Sequence, residues 1–426
     1  MRVVPKILGF GVVLLGCFLF GFGWPDLQHG KLPSAHAMNT LFGVKSGAAA
    51  SPEQEFSHAY TKILTDYIQP VDATNLKYAG MEGLMSSLGD PHTVFMPPQA
   101  AEAFNDETKA NFGGIGARLA PDPLGAKISS VFDDGPAFAA GIRAGNVVTG
   151  VDGKSVTGRE TDDIVTMIKG KEGTIVKLTV IQSDKPRPVV LTIKRARIIA
   201  PTVDSKYFSD YQIGYMSILS FSEPTAAQFD HELAKLEAHS MKGLVIDLRD
   251  NPGGLLDSAV DMLSRFFENK LVVKMKFRDG HEESAETIPG YLHEFNYPIA
   301  ILINEDSASA AEIFSGCLHD YGRAKLVGTH SYGKASVQNV FPLIDRSSAK
   351  ITIAKYFLPF TPFFGRKIDQ DGVFLSGGLE PDLKVELDPS SVIDPDNPKT
   401  DGQFWKAIQL LNPNPAPSSN SSAKSH

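Results

Sequence analysis

The chain has 426 residues, 42% of them hydrophobic, enough for two or three domains with a sizeable core. Lys and Arg number 41 against 49 Asp and Glu, a net charge of −8, so no basic excess is available to neutralise phosphates and a nucleic-acid binder is disfavoured. With only Cys17 and Cys317, and no Cys/His cluster at metal-ligand spacing, neither a disulfide framework nor a structural zinc site is expected.

Residues 1–37 have the form of an export signal. Arg2 and Lys6 precede the apolar run Ile7 to Phe22, and Ala35-His36-Ala37 has the small-x-small form of a cleavage site. Ala37 lies 15 residues past Phe22, farther than such sites usually sit, so an uncleaved anchor is the alternative. The run is short for that role, because a span takes about 20 residues. A lipid-modified Cys17 fits poorly, since apolar sequence continues on both sides. Each reading places the body in the periplasm or another extracytoplasmic space, with inner-membrane anchorage as a variant.

Residues 38–105 are a linker and a helical region. Ser51-Pro52-Glu53-Gln54 is a helix start, with Ser as N-cap and Pro first. Phe56, Tyr60, Ile63, Leu64 and Tyr67 repeat at helical spacing, and a second helix is expected over 76–88. Two helices cannot enclose a large core, so this region should pack on something or pair with a second copy.

From Asn111 the period shortens. Gly113-Gly114-Ile115-Gly116-Ala117 is a glycine-rich loop entering a strand; without a third glycine or a following helix it is no dinucleotide fingerprint. Strands are expected at 126–131, 147–151, 176–182 and 189–195, and helices at 136–140 and 161–169. A loop with free amides beside an open strand edge can hold a terminal carboxylate while the peptide adds as a strand. The order Gly-Ile-Gly-Ala (114–117), strand, Gly-Pro-Ala (135–137), Ala-Gly-Ile (140–142), Gly-Asn (145–146), Val-Asp-Gly (151–153) resembles a PDZ domain over 106–198. That resemblance implies peptide-carboxylate binding by Gly114, Ile115, Gly116 and Ala117. Its usual acid after Gly145 is Asn146 here.

Residues 199–388 alternate strands and helices, which implies βαβ units and a mostly parallel core. The apolar strand 299–303 leads through Asn304-Glu305-Asp306-Ser307-Ala308-Ser309 into a helical pattern of Ala310, Ile313, Phe314, Cys317 and Leu318. A serine at that handover has unpaired helix amides beside it and the positive end of the dipole. Alone, the stretch reads as a helix cap. No histidine stands in a triad context, so a base must be a lysine made neutral by burial. Lys334, in the largely uncharged run Ser331 to Gln338, is the candidate, and Gln338 four residues on would share its face were the segment helical. A neutral amide there orients an amine without holding it charged. From Asp388 the chain is rich in Pro, Ser and Asn, with one helical stretch at 404–411 and disorder expected over 412–426.

Ser309, Lys334 with Gln338, the Asp247-Leu248-Arg249-Asp250-Asn251-Pro252-Gly253-Gly254 run and the PDZ-like module together resemble the carboxyl-terminal processing peptidases, the tail-specific serine–lysine proteases. The resemblance runs from Ser51 to Leu387 and includes Leu88-Gly89-Asp90-Pro91-His92-Thr93. It implies an α/β, crotonase- or ClpP-like core with an inserted PDZ domain and an N-terminal helical region. It also implies Ser309 as nucleophile, Lys334 as general base, Gln338 orienting it, and an oxyanion hole from Ala310 with Gly253 or Gly254. No cofactor or metal is implied. The expected partners are protein substrates with apolar C-terminal tails, a second copy of the chain in a homodimer or higher oligomer, and an adaptor protein. Where the family has glycine before Ser-Ala-Ser, this chain has Asp306, whose carboxylate would hold Lys334 charged if the two were close. Arg143 is a candidate regulatory contact between module and core. A catalytically impaired peptide-binding scaffold is the alternative function; an apolar-ligand carrier on the same core is a third.

Overall fold

The structure is a computed structural model describing residues 50–132, 135–182, 185, 187–370, 372–387 and 393–412. The export segment 1–37 and the tail 413–426 lie outside the described residues. The chain divides into two compact units, 1–84 and 85–426.

In the first unit, α1 (Pro52–Asp66) opens on a capping box: Ser51 Oγ accepts from the Gln54 amide at 3.3 Å while Gln54 Oε1 accepts from the Ser51 amide at 3.1 Å. The Tyr60 hydroxyl ties α1 to the start of α2 (Ala73–Ser86) at the Ala73 carbonyl, 2.8 Å. Neither helix buries a residue, and Phe56, Ile63, Tyr67 and Ile68 stand exposed.

The second unit begins with β1 (Val94–Met96) and α3 (Pro98–Thr108). The module follows as β2 (Asn111–Gly114), β3 (Ala117–Asp122), β4 (Gly125–Val131), α4 (Pro136–Ala139), β5 (Val147–Val151), β6 (Lys154–Ser155), α5 (Thr161–Ile168), β7 (Ile175–Ile181), β8 (Val189–Lys194) and β9 (Ala196–Ile199). Its antiparallel sheet runs β3-β4-β5-β7-β8 around a core of Ile128, Ile142, Val148, Ile164, Val176 and Leu178. β3 is an edge strand, and α5 packs against it. β2 and β9 pair with each other and close the module's two ends together.

The core comprises β10 (Val203–Phe208), β11 (Ile213–Ile218), α6 (Thr225–Glu237), β12 (Gly243–Asp247), α7 (Leu256–Leu263), β13 (Leu271–Phe277), β14 (Glu282–Glu286), β15 (Ile299–Ile303), α8 (Ala310–Asp320), β16 (Ala324–Gly328), β17 (Ser336–Pro342), β18 (Ser348–Phe357), β19 (Lys367–Ile368), β20 (Phe374–Ser376), β21 (Leu383–Lys384) and α9 (Gly402–Leu411). One sheet, β10-β11-β12-β15-β16-β21, is parallel except at β10. Its faces are covered on both sides. Leu244, Ile246 and Ile301 meet Phe229, Met262 and Phe314 of α6, α7 and α8. Val245, Ala300 and Leu302 meet Phe404, Ala407 and Ile408 of α9. Double burial is why β12 and β15 read as unbroken apolar runs rather than alternating ones.

The second sheet, β1-β18-β13-β14 with β17 on β18, is antiparallel. The alternation of strands and helices did not announce it, because β14 and β17 are half-exposed and carry Glu, Gln and Asn. The segment 336–342 is therefore a strand, not a helix, and Gln338 does not share a helical face with Lys334.

Candidate active site

The site collects at the C-terminal ends of β12, β15 and β16, where loops leave a mostly parallel sheet and ligands commonly bind. After β15 the chain turns through 304–309. Ser307 Oγ bonds the Leu248 carbonyl at 2.7 Å and the Ala308 amide bonds the Asn251 carbonyl at 2.9 Å, so the β12 and β15 loops are tied together. Ser309 closes the turn at φ 55°, ψ −116°, a strained conformation for a residue with a side chain, directly before α8. The Ala310 amide, first in the helix, has no hydrogen bond among the described residues.

Glu312 holds the two halves of the site. Its fully buried carboxylate accepts from the Ser309 amide (2.9 Å), Ser331 Oγ (2.6 Å), the Gly333 amide (2.6 Å) and the Lys334 amide (3.0 Å). Ser309 and Lys334 thus donate to the same Oε2 oxygen. Burial raises the Glu312 pKa against these donors. Lys334 itself is half-buried, and its ammonium forms no ion pair among the described residues. Burial first, then the Lys350 charge, lowers its pKa to about 8, against the opposing pull of Glu312 and Asp90. His92 faces the same group: its ring lies 6.1 Å from that of Tyr332, and burial and the Lys334 charge lower its pKa.

Gln338 stands in β17 beyond a register shift. Its Nε2 donates to Ser336 Oγ (2.9 Å) and Thr352 Oγ1 (3.1 Å), and no hydrogen bond joins it to Lys334 among the described residues. The loop after β12 is fixed by Asn251, fully buried, whose Nδ2 reaches the Ile218 carbonyl (2.6 Å) and whose Oδ1 accepts from the Gly253 amide (2.8 Å). Gly253, at φ +96°, lies so close to the turn at Ser309 that a Cβ would stand 2.6 Å from the Ala308 carbonyl oxygen and 2.7 Å from the Ala310 nitrogen. The Gly254 amide has no partner among the described residues. Upstream, Arg249 joins Asp247 to Asp401 at the start of α9 (2.6 and 2.8 Å), anchoring the strand that carries this loop.

In the module, the amides of Ile115 and Gly116 have no partner among the described residues, whereas their carbonyls bond Ala137 and Phe132. Gly114 pairs with Ala196, and Ala117 opens β3. Free amides therefore directly precede the open edge strand β3, against which α5 packs.

The family model for peptidase family S41 matches residues 212–385, and that for the PDZ domain matches 106–181. A probable CtpA-like serine protease of Staphylococcus haemolyticus is 33% identical over 86% of this chain and 72% of its own. The carboxy-terminal processing protease CtpB of Bacillus subtilis is 33% identical over 78% and 72%. Among solved structures, a photosystem II D1 C-terminal processing protease aligns at 24% identity over 85% of this chain and 92% of that one, with a TM-score of 0.44. The chain belongs to peptidase family S41.

This S41 peptidase is a serine-type enzyme of the carboxy-terminal processing group and carries a PDZ domain. Asp306 and Arg143, both singled out in the sequence, make only local contacts among the described residues. Asp306 is exposed, its amide turned to Asn304 Oδ1 (3.3 Å), and the carboxylates acting on Lys334 are Glu312 and Asp90 instead. Arg143 folds onto its own domain: it donates to the carbonyls of Phe138 (2.9 Å) and Ile142 (2.7 Å) and stacks on the Phe138 ring. One charged contact between module and core comes from Arg118 of β3, whose guanidinium forks onto Asp204 of β10 at 2.5 and 3.2 Å. Asn146 supplies the acceptor expected of an acid, taking the Arg143 amide at 3.0 Å. Cys317 is buried, with Sγ on the Val272 carbonyl.

Proposed function

We propose that this S41 peptidase is exported, captures the C-terminal tail of a protein substrate in its PDZ groove, and cleaves near that end through an acyl-enzyme on Ser309. The observation that carries the reading is Lys334: a half-buried lysine with no ion pair among the described residues, its pKa lowered to about 8 by burial, whose backbone amide shares one Glu312 oxygen with that of Ser309. Neutral Lys334 takes the Ser309 hydroxyl proton as Oγ bonds to the scissile carbonyl carbon. The C–N bond then breaks, and Lys334 returns that proton to the departing amine. Water, deprotonated by the same lysine, hydrolyses the ester. The oxyanion accepts from the Ala310 amide and one amide of the 253–254 loop; Gly253 is engaged by Asn251, so Gly254 is the free donor.

The groove beside β3 suits an extended peptide with a free carboxylate, the Ile115 and Gly116 amides receiving the charge. The unburied apolar side chains of α1 and α2 suit a homodimer. Asp306, exposed and with its amide on Asn304, lends no support to an impaired peptide-binding scaffold. The test is cleavage of a reporter protein bearing an apolar C-terminal tail. Ser309→Ala and Lys334→Ala should each abolish cleavage while leaving tail binding intact; full turnover in either variant sinks the dyad.

A further inference from the structure

The loop that carries Lys334 is held down by a segment that the dyad chemistry does not use. The Arg366 amide donates to the Gly333 carbonyl at 2.6 Å, and the Gly378 amide to the Phe364 carbonyl at 2.8 Å. A Cβ on Gly333 would stand 2.7 Å from the Gly378 nitrogen and 3.0 Å from that of Arg366, so the backbones are in contact. The Tyr332 amide bonds the Ser307 carbonyl at 3.0 Å, which ties the same loop to the turn at Ser309. Backbone bonds thus place Arg366 against the residue before Lys334, in a loop that is itself bonded to the nucleophile's turn.

The Arg366 side chain is stacked as well. Its guanidinium carbon lies 4.9 Å from the centre of the Tyr332 ring and 5.1 Å from that of Phe374 in β20. Phe374 in turn stacks on the His330 ring, 4.3 Å apart and 5° from parallel. Rings on either side hold a cation that stays exposed to solvent. Stacking occupies the faces of a guanidinium and leaves its N–H edge for acceptors. In the other ring-stacked arginines that edge is used. Arg143 donates to the Phe138 and Ile142 carbonyls, Arg265 to the Asp230 carboxylate and the Asp261 carbonyl, and Arg323 to the Phe295 and Tyr297 carbonyls. The Arg366 guanidinium has neither a hydrogen bond nor an ion pair among the described residues. The nearby acid of the hairpin is turned inward: Asp369 Oδ1 accepts from the Val373 amide at 2.8 Å. A side chain already fixed by packing loses less entropy on pairing than a mobile surface arginine, and the acceptor that matches its fork is a carboxylate.

We infer that Arg366 is a specificity residue, taking the side-chain carboxylate of a substrate Asp or Glu close to the scissile bond. The terminal carboxylate of the tail is the poorer match, because a chain has one and the free amides of Ile115 and Gly116 suit it. This rests on Ser309 and Lys334 being the peptidase dyad, so the test is a ratio measured within each variant.

Tailed peptides that differ at one position, Glu against the near-isosteric Gln, are turned over by the full chain, with the exchange walked along the residues flanking the scissile bond. At one position kcat/KM should favour Glu by about tenfold, the scale of a charge-assisted hydrogen bond at an exposed site. Arg366→Gln should bring that ratio to about one. Arg366→Lys should keep an intermediate preference, and Arg366→Glu should favour a Lys peptide at the same position. A displaced Lys334 loop or partial unfolding slows both peptides alike and leaves the ratio at its wild-type value. Wild-type enzyme indifferent to Glu and Gln at every position, or an Arg366→Gln variant that keeps the wild-type ratio, overturns the inference and leaves Arg366 a clamp on the loop. Full turnover by Lys334→Ala would instead overturn the dyad beneath it.

Discussion

Under the proposed dyad, Lys334 sets the pH range of cleavage. Burial first, then the Lys350 charge, brings its pKa down to about 8, and the form the dyad would use is the neutral amine. The rate therefore falls as pH drops through that value, and kcat/KM should rise with a single acid limb centred near 8. Lys350→Ala removes a repelling charge, raises the Lys334 pKa and moves the limb to higher pH; a limb that stays put contradicts the assignment. Asp306→Gly should leave the profile unchanged, because Asp306 is exposed and takes no part in the shift. Ser309 and Lys334 were legible in the sequence: one follows an apolar strand at a helix start, the other sits in a run almost free of charge. Glu312 was not. An acid in the first turn of a helix reads as ordinary capping. Only when the loop 331–334 folds back do its donors converge on that one carboxylate.

The loop elements hold the chemistry to narrow tolerances. Gly253→Ala would drive a methyl group to 2.6 Å from the Ala308 carbonyl oxygen at a positive φ, so the loop must move away from the turn at Ser309. Activity should fall by about a hundredfold or more, the scale of a lost oxyanion donor, while circular dichroism remains native. Glu312→Gln would turn an N–H toward groups that are themselves donors. We expect a loss of about 1–3 kcal/mol in unfolding free energy together with reduced kcat, read by denaturant titration and turnover. Wild-type stability in that variant would mean the carboxylate is not the clamp described. The strands β12 and β15 were plain from their apolar runs, because α6, α7, α8 and α9 bury both faces. β17 was hidden: its polar residues are half-exposed, and its place is set by pairing with β18 rather than by its own pattern. For that reason the Gln338 spacing suggested a helical face, when it is the β-ladder that aims the side chain at Thr352.

Across the whole molecule, a PDZ domain and an S41 peptidase core are carried by one chain. The edge strand β3 packs against α5 and, through Arg118 and Asp204, contacts the core directly. Amidating the C-terminus of a tail peptide should weaken its binding at least about tenfold, since charge-assisted bonds to the Ile115 and Gly116 amides are lost; equal affinity by calorimetry would remove the carboxylate from the recognition. The order of the module's turns made the PDZ domain readable, while the Arg118–Asp204 contact joins residues far apart in sequence and had no local signal. Covalent catalysis by Ser309 is read most directly by quenching turnover of a tailed substrate in acid and weighing the intact enzyme, followed by peptide mapping. A transient adduct of the substrate's N-terminal fragment, less one water, is expected on Ser309 and absent in Lys334→Ala. Cleavage with no adduct at any time, or with the adduct on another residue, would contradict it.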